Sequence, residues 1–470
     1  MLDLLPETGS FRDPSGHVYI VDQRVFRTVM PSAAADYECV RSTGLVDQLV
    51  REGLLLPETP VRPELLGPWA AGAAYILEHP TIPYVSYPYE WCFSALKAAA
   101  LLHLDIHLRA LQKAVTLSDA SAYNVQFQGP KPVFIDHLSF RKYRDGEFWT
   151  GHRQFCEQFL NPLLLRSEVG LPHNPWYRGS LEGITAAELN RLLRLKAKLS
   201  WRVFFHVVLQ ARFQDAPTNG KRARAATSRR LPLPALKSML RSLRKWISAL
   251  EPADRGKTVW RDYAKTHSYS DPEVQAKRSF VAQFARETAP LTLFDLGCNT
   301  GDYAKAALRA GARRVIGFDF DQGALDQAFL RAQSEQLHFL PLFLDLGNPA
   351  PSQGWAEAER SGFAARAKPD AILALALVHH LAISRNIPLE SVVNWLLKLA
   401  PAGVLEFVPK QDPMVQELLT LREDVFPDYT VETFLAHIQA RAQIIKTQTI
   451  SSSGRLLVWF CRPSDGASGS

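Results

Sequence analysis

From about Trp260 onward, short apolar runs alternate with helical stretches, and this alternation restricts the fold more than any other feature of the chain. A strand joined to a parallel neighbour needs a crossover, usually a helix. Both faces of such a sheet are buried, so its strands read as unbroken apolar runs. Runs of this kind stand at LTLFDLG, RVIGFDFD, LHFLPLFLD, AILALAL and AGVLEFV. The series then changes: AQIIKTQTI and RLLVWFCR are separated only by the polar turn SSSG, which predicts a terminal antiparallel hairpin. The expected fold class here is α/β, a mostly parallel sheet with helices on both faces and an antiparallel end.

The first run leads into Phe294-Asp295-Leu296-Gly297-Cys298-Asn299-Thr300-Gly301-Asp302, and a helix follows from Tyr303. Glycines at 297 and 301 let backbone approach a ligand with no Cβ in the way, and a helix N-terminus offers unpaired N–H groups. A dinucleotide site wants GxGxxG; here the glycines are four apart, which favours a nucleoside-sized ligand over a pyrophosphate. The second run ends in Asp319, where a carboxylate can accept from both ribose hydroxyls, with Asp321 as the close competitor. The third ends in Asp345, placed to accept from an exocyclic adenine amine. With Cys298 and Asn299 in the loop between the glycines, these residues describe an adenosine pocket.

This order of acid, glycine loop, acid, acid and terminal hairpin resembles the class I S-adenosylmethionine-dependent methyltransferases, over roughly Tyr263 to Arg462. The resemblance implies a Rossmann-like domain with S-adenosylmethionine as cofactor. It implies Gly297 and Gly301 in the cofactor loop, Asp295 opposite the methionine end, Asp319 at the ribose and Asp345 at the adenine. In this class the segment before the first strand often covers the cofactor, which makes Tyr263, Tyr269 and Lys277 candidates. His379 and His380 close the fourth run, and an imidazole with an ordinary pKa near 6.5 can take a proton as the methyl group arrives. They are the candidate catalytic residues. Glu406, Lys410 and Asp412 after the fifth run line either the acceptor pocket or a solvated loop.

Lys and Arg exceed Asp and Glu by 54 to 47, but the excess is local. Residues 212–245 hold ten Lys or Arg against the single acid Asp215, so this stretch carries +9 and the rest −2. Its first part, QDAPTNGKRARAATSRRLPLP, lacks large apolar residues and reads as a linker. In PALKSMLRSLRKWISALEP, Leu236, Leu240, Leu243, Ile247 and Leu250 repeat at helical spacing with basic residues between them, predicting an amphipathic helix. Such a face can meet nucleic acid or an anionic membrane surface, or simply be solvated. The organisation expected is an α+β domain over 1–210, a basic linker and helix over 211–250, and the methyltransferase-like domain over 251–465.

In the N-terminal half, HVYIVDQRVFRTV predicts two strands about Asp22-Gln23, with helical stretches to about Leu111. Asp119, Asn124 five residues later and Asp136 twelve beyond that resemble the catalytic and metal-binding loops of protein-kinase-like and aminoglycoside phosphotransferases. In those enzymes the first carboxylate aligns a hydroxyl and the other two residues hold magnesium. The chain departs from that pattern: Leu117 stands where the usual His would, and no glycine-rich loop lies between the early strands. The domain therefore reads as a degenerate kinase-like module, with Asp119, Asn124 and Asp136 as a kinase-like site or as loop-capping residues. His103 and His107, at i and i+4, read as helix-surface histidines. The five cysteines are scattered and odd in number, so they read as reduced thiols, and no bound metal is expected.

The segments SYPYEW, LSDASAYNVQF, VFIDHLSF, ALALVHHL and EFVPK resemble a family of bacterial methyltransferases that includes the host-specific nodulation methyltransferases. The expected function is methyl transfer from S-adenosylmethionine to a sugar, peptide or small-metabolite acceptor. The alternatives are a bifunctional methyltransferase-kinase and a non-catalytic scaffold binding an acidic partner. With no secretory signal or span-length apolar run, the expected location is the cytoplasm.

Overall fold

The computed structural model describes residues 6–214, 230–254, 271–420 and 423–463. It divides into two compact units: Met1–Arg255 with Ser352–Ser361, and Gly256–Pro351 with Gly362–Ser470. Among the described residues no helix is long and apolar enough to cross a membrane.

In the first unit, β1 (Val18–Val21) and β2 (Arg24–Val29) form the expected hairpin, turned by Asp22 and Gln23 at φ 48° and 63°. Two positive φ angles in a two-residue loop match the right-handed twist of the strands. The stretch read as wholly helical also contains β3 (Thr59–Val61) and β4 (Tyr75–His79), which complete a sheet of order β1-β2-β4-β3. The helix Phe93–Ala110 is buried on most sides, so His103 and His107 are core residues, not surface ones. His103 stacks on Trp149, and His107 Nε2 lies 2.9 Å from Thr116 Oγ1. Beyond β5 (Val115–Leu117), a hairpin of β6 (Val125–Gln128) and β7 (Lys131–Phe134) separates Asn124 from Asp136, and β8 (Phe140–Lys142) pairs with β5.

The amphipathic helix forms over Leu233–Ser248, burying Leu236, Leu240, Leu243, Trp246 and Ile247. It belongs to the first unit, where Arg244 makes a forked ion pair with Asp105 of the helix Phe93–Ala110. Of its other basic residues, Arg241 and Lys245 are exposed and Lys237 is half-buried. The basic stretch from Asp215 to Arg229 lies outside the described residues. Residues 352–361, far along the chain, return to this unit: Glu359 pairs with Arg12, and the Arg360 guanidinium lies 4.3 Å from the centre of the Tyr123 ring.

The second unit is one seven-stranded sheet of β9 (Leu293–Leu296), β10 (Val315–Asp319), β11 (Phe339–Phe343), β12 (Ala371–Ala374), β13 (Ala402–Phe407), β14 (Gln443–Thr449) and β15 (Leu456–Cys461). The order is β11-β10-β9-β12-β13-β15-β14, and β15 alone runs antiparallel to its neighbours. This is the class I methyltransferase arrangement that the hairpin-ended series of runs predicts. One run is shorter than expected: β12 stops at Ala374, and Leu375 to Leu377 form a loop with Ala376 at φ 50°.

A buried ionic network sets that loop. Glu406 on β13 accepts from the Ala376 N–H at 2.7 Å and from Lys277 Nζ at 2.5 Å. Arg455, just before β15, lies 3.7 Å from Glu406 and makes a forked pair with Asp412 at 2.6 and 2.8 Å. Asp412 in turn caps the helix Pro413–Leu419. Lys277, Glu406, Asp412 and Arg455 are each buried to within about 2% of full enclosure. Breaking such a network by removing one member leaves uncompensated charge and costs about 3–5 kcal/mol. Arg455→Met should therefore destabilise the second unit by about that amount, read as faster hydrogen exchange in β13 and β15. Unchanged exchange there would contradict this.

Candidate functional site

In the second unit the strand order reverses between β9 and β12, and open α/β sheets bind ligands at the carboxyl ends of the strands flanking such a reversal. A crevice of about 560 Å³ lies there, well within the range of small-molecule sites. Its walls include Lys277, Asn299, Asp319, Asp345, His380 and Arg385.

The glycine loop is drawn over β10: the N–H groups of Gly297 and Cys298 both donate to the Phe318 carbonyl, at 2.8 and 3.0 Å. Gly297 has φ 81°, and a Cβ there would meet nothing closer than 3.8 Å, so its missing side chain leaves open space beside the ligand position. Gly301, at φ 82°, differs: a Cβ would stand 2.4 Å from the Phe339 ring. It serves packing beneath the loop and does not line the crevice, contrary to the expected ligand contact.

Asp319, at the end of β10, accepts from the Asn299 N–H at 2.8 Å and the Asp321 N–H at 2.9 Å. Burial raises its pKa to about 6, and the backbone N–H groups pull the other way. Asp321 caps the next helix, accepting from the N–H groups of Gly323 and Ala324, so Asp319 and not Asp321 faces the crevice. Asp345 lines the opposite side, where one oxygen accepts from the Gly347 N–H and the other from Arg385.

Six expected residues do not line this crevice, Asp412 of the ionic network among them. Asp295 is buried on β9 below the loop; burial, then the nearby Asp319 charge, raise its pKa to about 7. Gly301 packs against the Phe339 ring. His379 is enclosed, its ring packed 4.2 Å from that of His380, and burial lowers its pKa well below the ordinary value. Glu406 is committed to the ionic network, and Lys410 pairs at the surface with Asp424. His380 does line it; burial lowers its pKa to about 4, so it is neutral near neutral pH. Cys298 and Asn299 line it as expected, and Lys277 both lines it and lies 4.9 Å from the centre of the Tyr303 ring. Tyr263 and Tyr269 lie outside the described residues.

Sequence reasoning missed Arg278, Ser384, Arg385 and Met414, which also line the crevice. Arg385 carried a usable signal, a lone cation just after the apolar run that ends in His379-His380. Met414 and Arg278 project from helix faces whose orientation depends on tertiary packing.

In the first unit Asp119, Asn124 and Asp136 do come together, as a closed cluster. Asn124 Nδ2 donates to Asp119 at 2.8 Å and to Asp136 at 3.3 Å, while Ser139 Oγ and the Leu138 N–H also donate to Asp136. Arg27 completes it, 2.6 Å from Asp136. Burial alone would raise the Asp136 pKa; Arg27 and Ser139 more than offset it. One oxygen of the Asp136 carboxylate is thereby already paired with a guanidinium.

No protein-family profile matches the chain. It is 47% identical over 457 residues to nodulation protein NoeA of Rhizobium meliloti (strain 1021), covering 97% of this chain and 95% of that one. Among solved structures it is similar to the N-methyltransferase NodS of Bradyrhizobium japonicum WM9 in complex with S-adenosyl-L-homocysteine, at 12% identity and TM-score 0.32, over 44% of this chain and 98% of that one. It is also similar to magnesium protoporphyrin IX methyltransferase of Synechocystis PCC 6803 with bound cofactor, at 18% identity and TM-score 0.29, over 41% and 80%. The strand order, not these weak likenesses, carries the fold.

The raised acids give the second unit a pH signature. An acid whose pKa is higher folded than unfolded binds more protons when folded, so stability falls as pH rises from its unfolded to its folded pKa. For Asp295 that window runs from the ordinary aspartate value of 3.8 to about 7. At about 1.4 kcal/mol per pKa unit, Asp295→Asn should gain on the order of 2–4 kcal/mol near pH 8 and almost nothing at about pH 3.5. Urea unfolding at both pH values checks this, and an equal effect at both would contradict it.

Proposed function

The chain belongs to the family of nodulation protein NoeA, and on that premise we propose that it is a methyltransferase using S-adenosylmethionine in the crevice between β9 and β12. One observation supports this reading above the others: Asp319, the carboxylate at the end of β10, faces the crevice while backbone N–H groups fix its orientation. When bound, S-adenosylmethionine supplies a methyl group on a positively charged sulfur.

The residues present fit that cofactor. Asp319 would hold the ribose hydroxyls, Gly297 leaves room for close backbone approach, and Asp345 with the 344–347 turn would border the adenine. Arg278, on the crevice wall outside the ionic network, would meet a carboxylate at the other end. The crevice also carries Leu377, Leu381, Met414 and Leu418, which suit an acceptor with an apolar body beside its nucleophile. We assign the acceptor to small molecules, sugars or peptides of that kind. His380, neutral near pH 7, lines the crevice and is the proton acceptor of the reading; His379 packs against its ring. Alignment of the reactants supplies most of the rate. In the first unit we propose a substrate-binding or structural module, because Arg27 already pairs with Asp136.

Calorimetry with S-adenosylmethionine tests this reading. Losing hydrogen bonds to a charged acceptor costs about 1.5–3 kcal/mol, so Asp319→Ala should bind roughly 10- to 100-fold more weakly. His380→Ala should keep cofactor affinity and lose turnover of labelled methyl into host extract. Equal affinity of the wild-type protein and Asp319→Ala would refute the assignment.

A further inference from the structure

His152, Cys156 and His206 meet inside the first unit, although 50 residues of sequence separate the last two. His152 and Cys156 stand four apart on the continuous helix 152–169 and so share one face. His206 comes from the helix 201–214. His152 Nε2 lies 3.1 Å from His206 Nδ1 and 3.8 Å from Cys156 Sγ, and all three donor atoms lie within 4.8 Å of one another. Tetrahedral zinc with bonds of about 2.05 Å to nitrogen and 2.3 Å to sulfur sets neighbouring ligands about 3.3 Å apart for two nitrogens and 3.6 Å for nitrogen and sulfur. The two distances from His152 Nε2 lie within about 0.2 Å of these values, and the third is under 4.8 Å.

A fourth side chain points the same way. Gln210 Nε2 lies 3.1 Å from His152 Nδ1 and 3.6 Å from Cys156 Sγ, while its Oε1 is buried with no hydrogen-bond partner among the described residues. Exchanging the two ends of this amide lets Oε1 accept from an Nδ1–H of His152 and leaves the His152 Nε2 lone pair facing His206 Nδ1 and Cys156 Sγ.

We propose that His152, Cys156 and His206 bind a zinc-class divalent cation, with water as fourth ligand and Gln210 orienting His152. Two imidazoles and one thiolate form a donor set suited to zinc, and neither hard-cation geometry nor an acidic cluster is involved. Burial keeps both imidazoles neutral, with pKa values of about 4 for His152 and about 3 for His206, so each has a lone pair to give. Burial also lifts the Cys156 thiol to about 12, and a cation at the site is what would let it ionise. Trp149 flanks His152 and Trp246 flanks His206, so the ion would tie two helices together beneath an aromatic cover. No residue of this cluster lines the crevice of the second unit, so the proposal stands apart from the methyl-transfer reading.

The full chain, stripped with chelator, is titrated with cobalt(II) and then with zinc(II) against a competing chelator. We expect about one ion per chain, tetrahedral cobalt bands, and a near-ultraviolet thiolate-to-cobalt band that Cys156→Ser removes and Cys39→Ser keeps. Gln210→Ala should weaken zinc binding roughly 10- to 100-fold while circular dichroism shows an intact fold. Octahedral cobalt spectra, no thiolate band in the wild-type chain, or a band that survives Cys156→Ser would each overturn the proposal and leave a neutral histidine-glutamine hydrogen-bond chain in its place.

Discussion

The buried network of Lys277, Glu406, Arg455 and Asp412 is the constraint on which the second unit's site depends. Glu406 alone touches three elements: it sits on β13, takes the Ala376 N–H from the loop after β12, and pairs with Lys277 from the helix Asp271–Thr288. Arg455 and Asp412 extend the same network to the start of β15 and to the helix Pro413–Leu419. Three segments that wall the crevice, the helix Asp271–Thr288, the loop after β12 and the helix Pro413–Leu419, are thereby indexed to one another by charge. Burying so many ions is expensive, and an apolar core of equal volume would be as stable or more so. What the ions add is direction: each charge meets its partner across two segments.

Directed contacts of the same kind explain why the crevice has its shape. The Ala376 N–H, held by Glu406, ends β12 early and turns Leu375 to Leu377 into the crevice wall. On the other side, Asp319 holds the glycine loop by the Asn299 N–H and stays available to the crevice. The site is thus a rigid notch at the sheet's reversal point, lined by a few oriented polar groups and an apolar rim.

Much of this was legible in the sequence, for a physical reason. Parallel strands are buried on both faces, so five of them showed as continuous apolar runs, and the hairpin showed through its short polar turn. The loop between Gly297 and Asp302 was readable because a turn at positive φ needs glycine. Sequence could not show which acids point into the crevice. Asp295 and Asp319 look alike at strand ends, yet Asp295 lies beneath the loop and Asp319 lines the crevice. Glu406 and Lys410 are four residues apart, one locked in a buried network and the other at the surface. In the first unit, His103 and His107 have surface-like spacing but are core residues, because the helix carrying them is covered on most sides. The cluster of His152, Cys156 and His206 was invisible because His206 comes from a second helix, 50 residues beyond the one that carries the other two.

The account rests on a sulfur nucleoside seated between the glycine loop and Asp319. A crystal structure with S-adenosyl-L-homocysteine decides it most directly. The account predicts the ribose hydroxyls on Asp319 and the nucleoside against Gly297 and Leu344 to Gly347. Density for the ligand elsewhere, or a crevice that stays closed to it at saturating concentration, would contradict it.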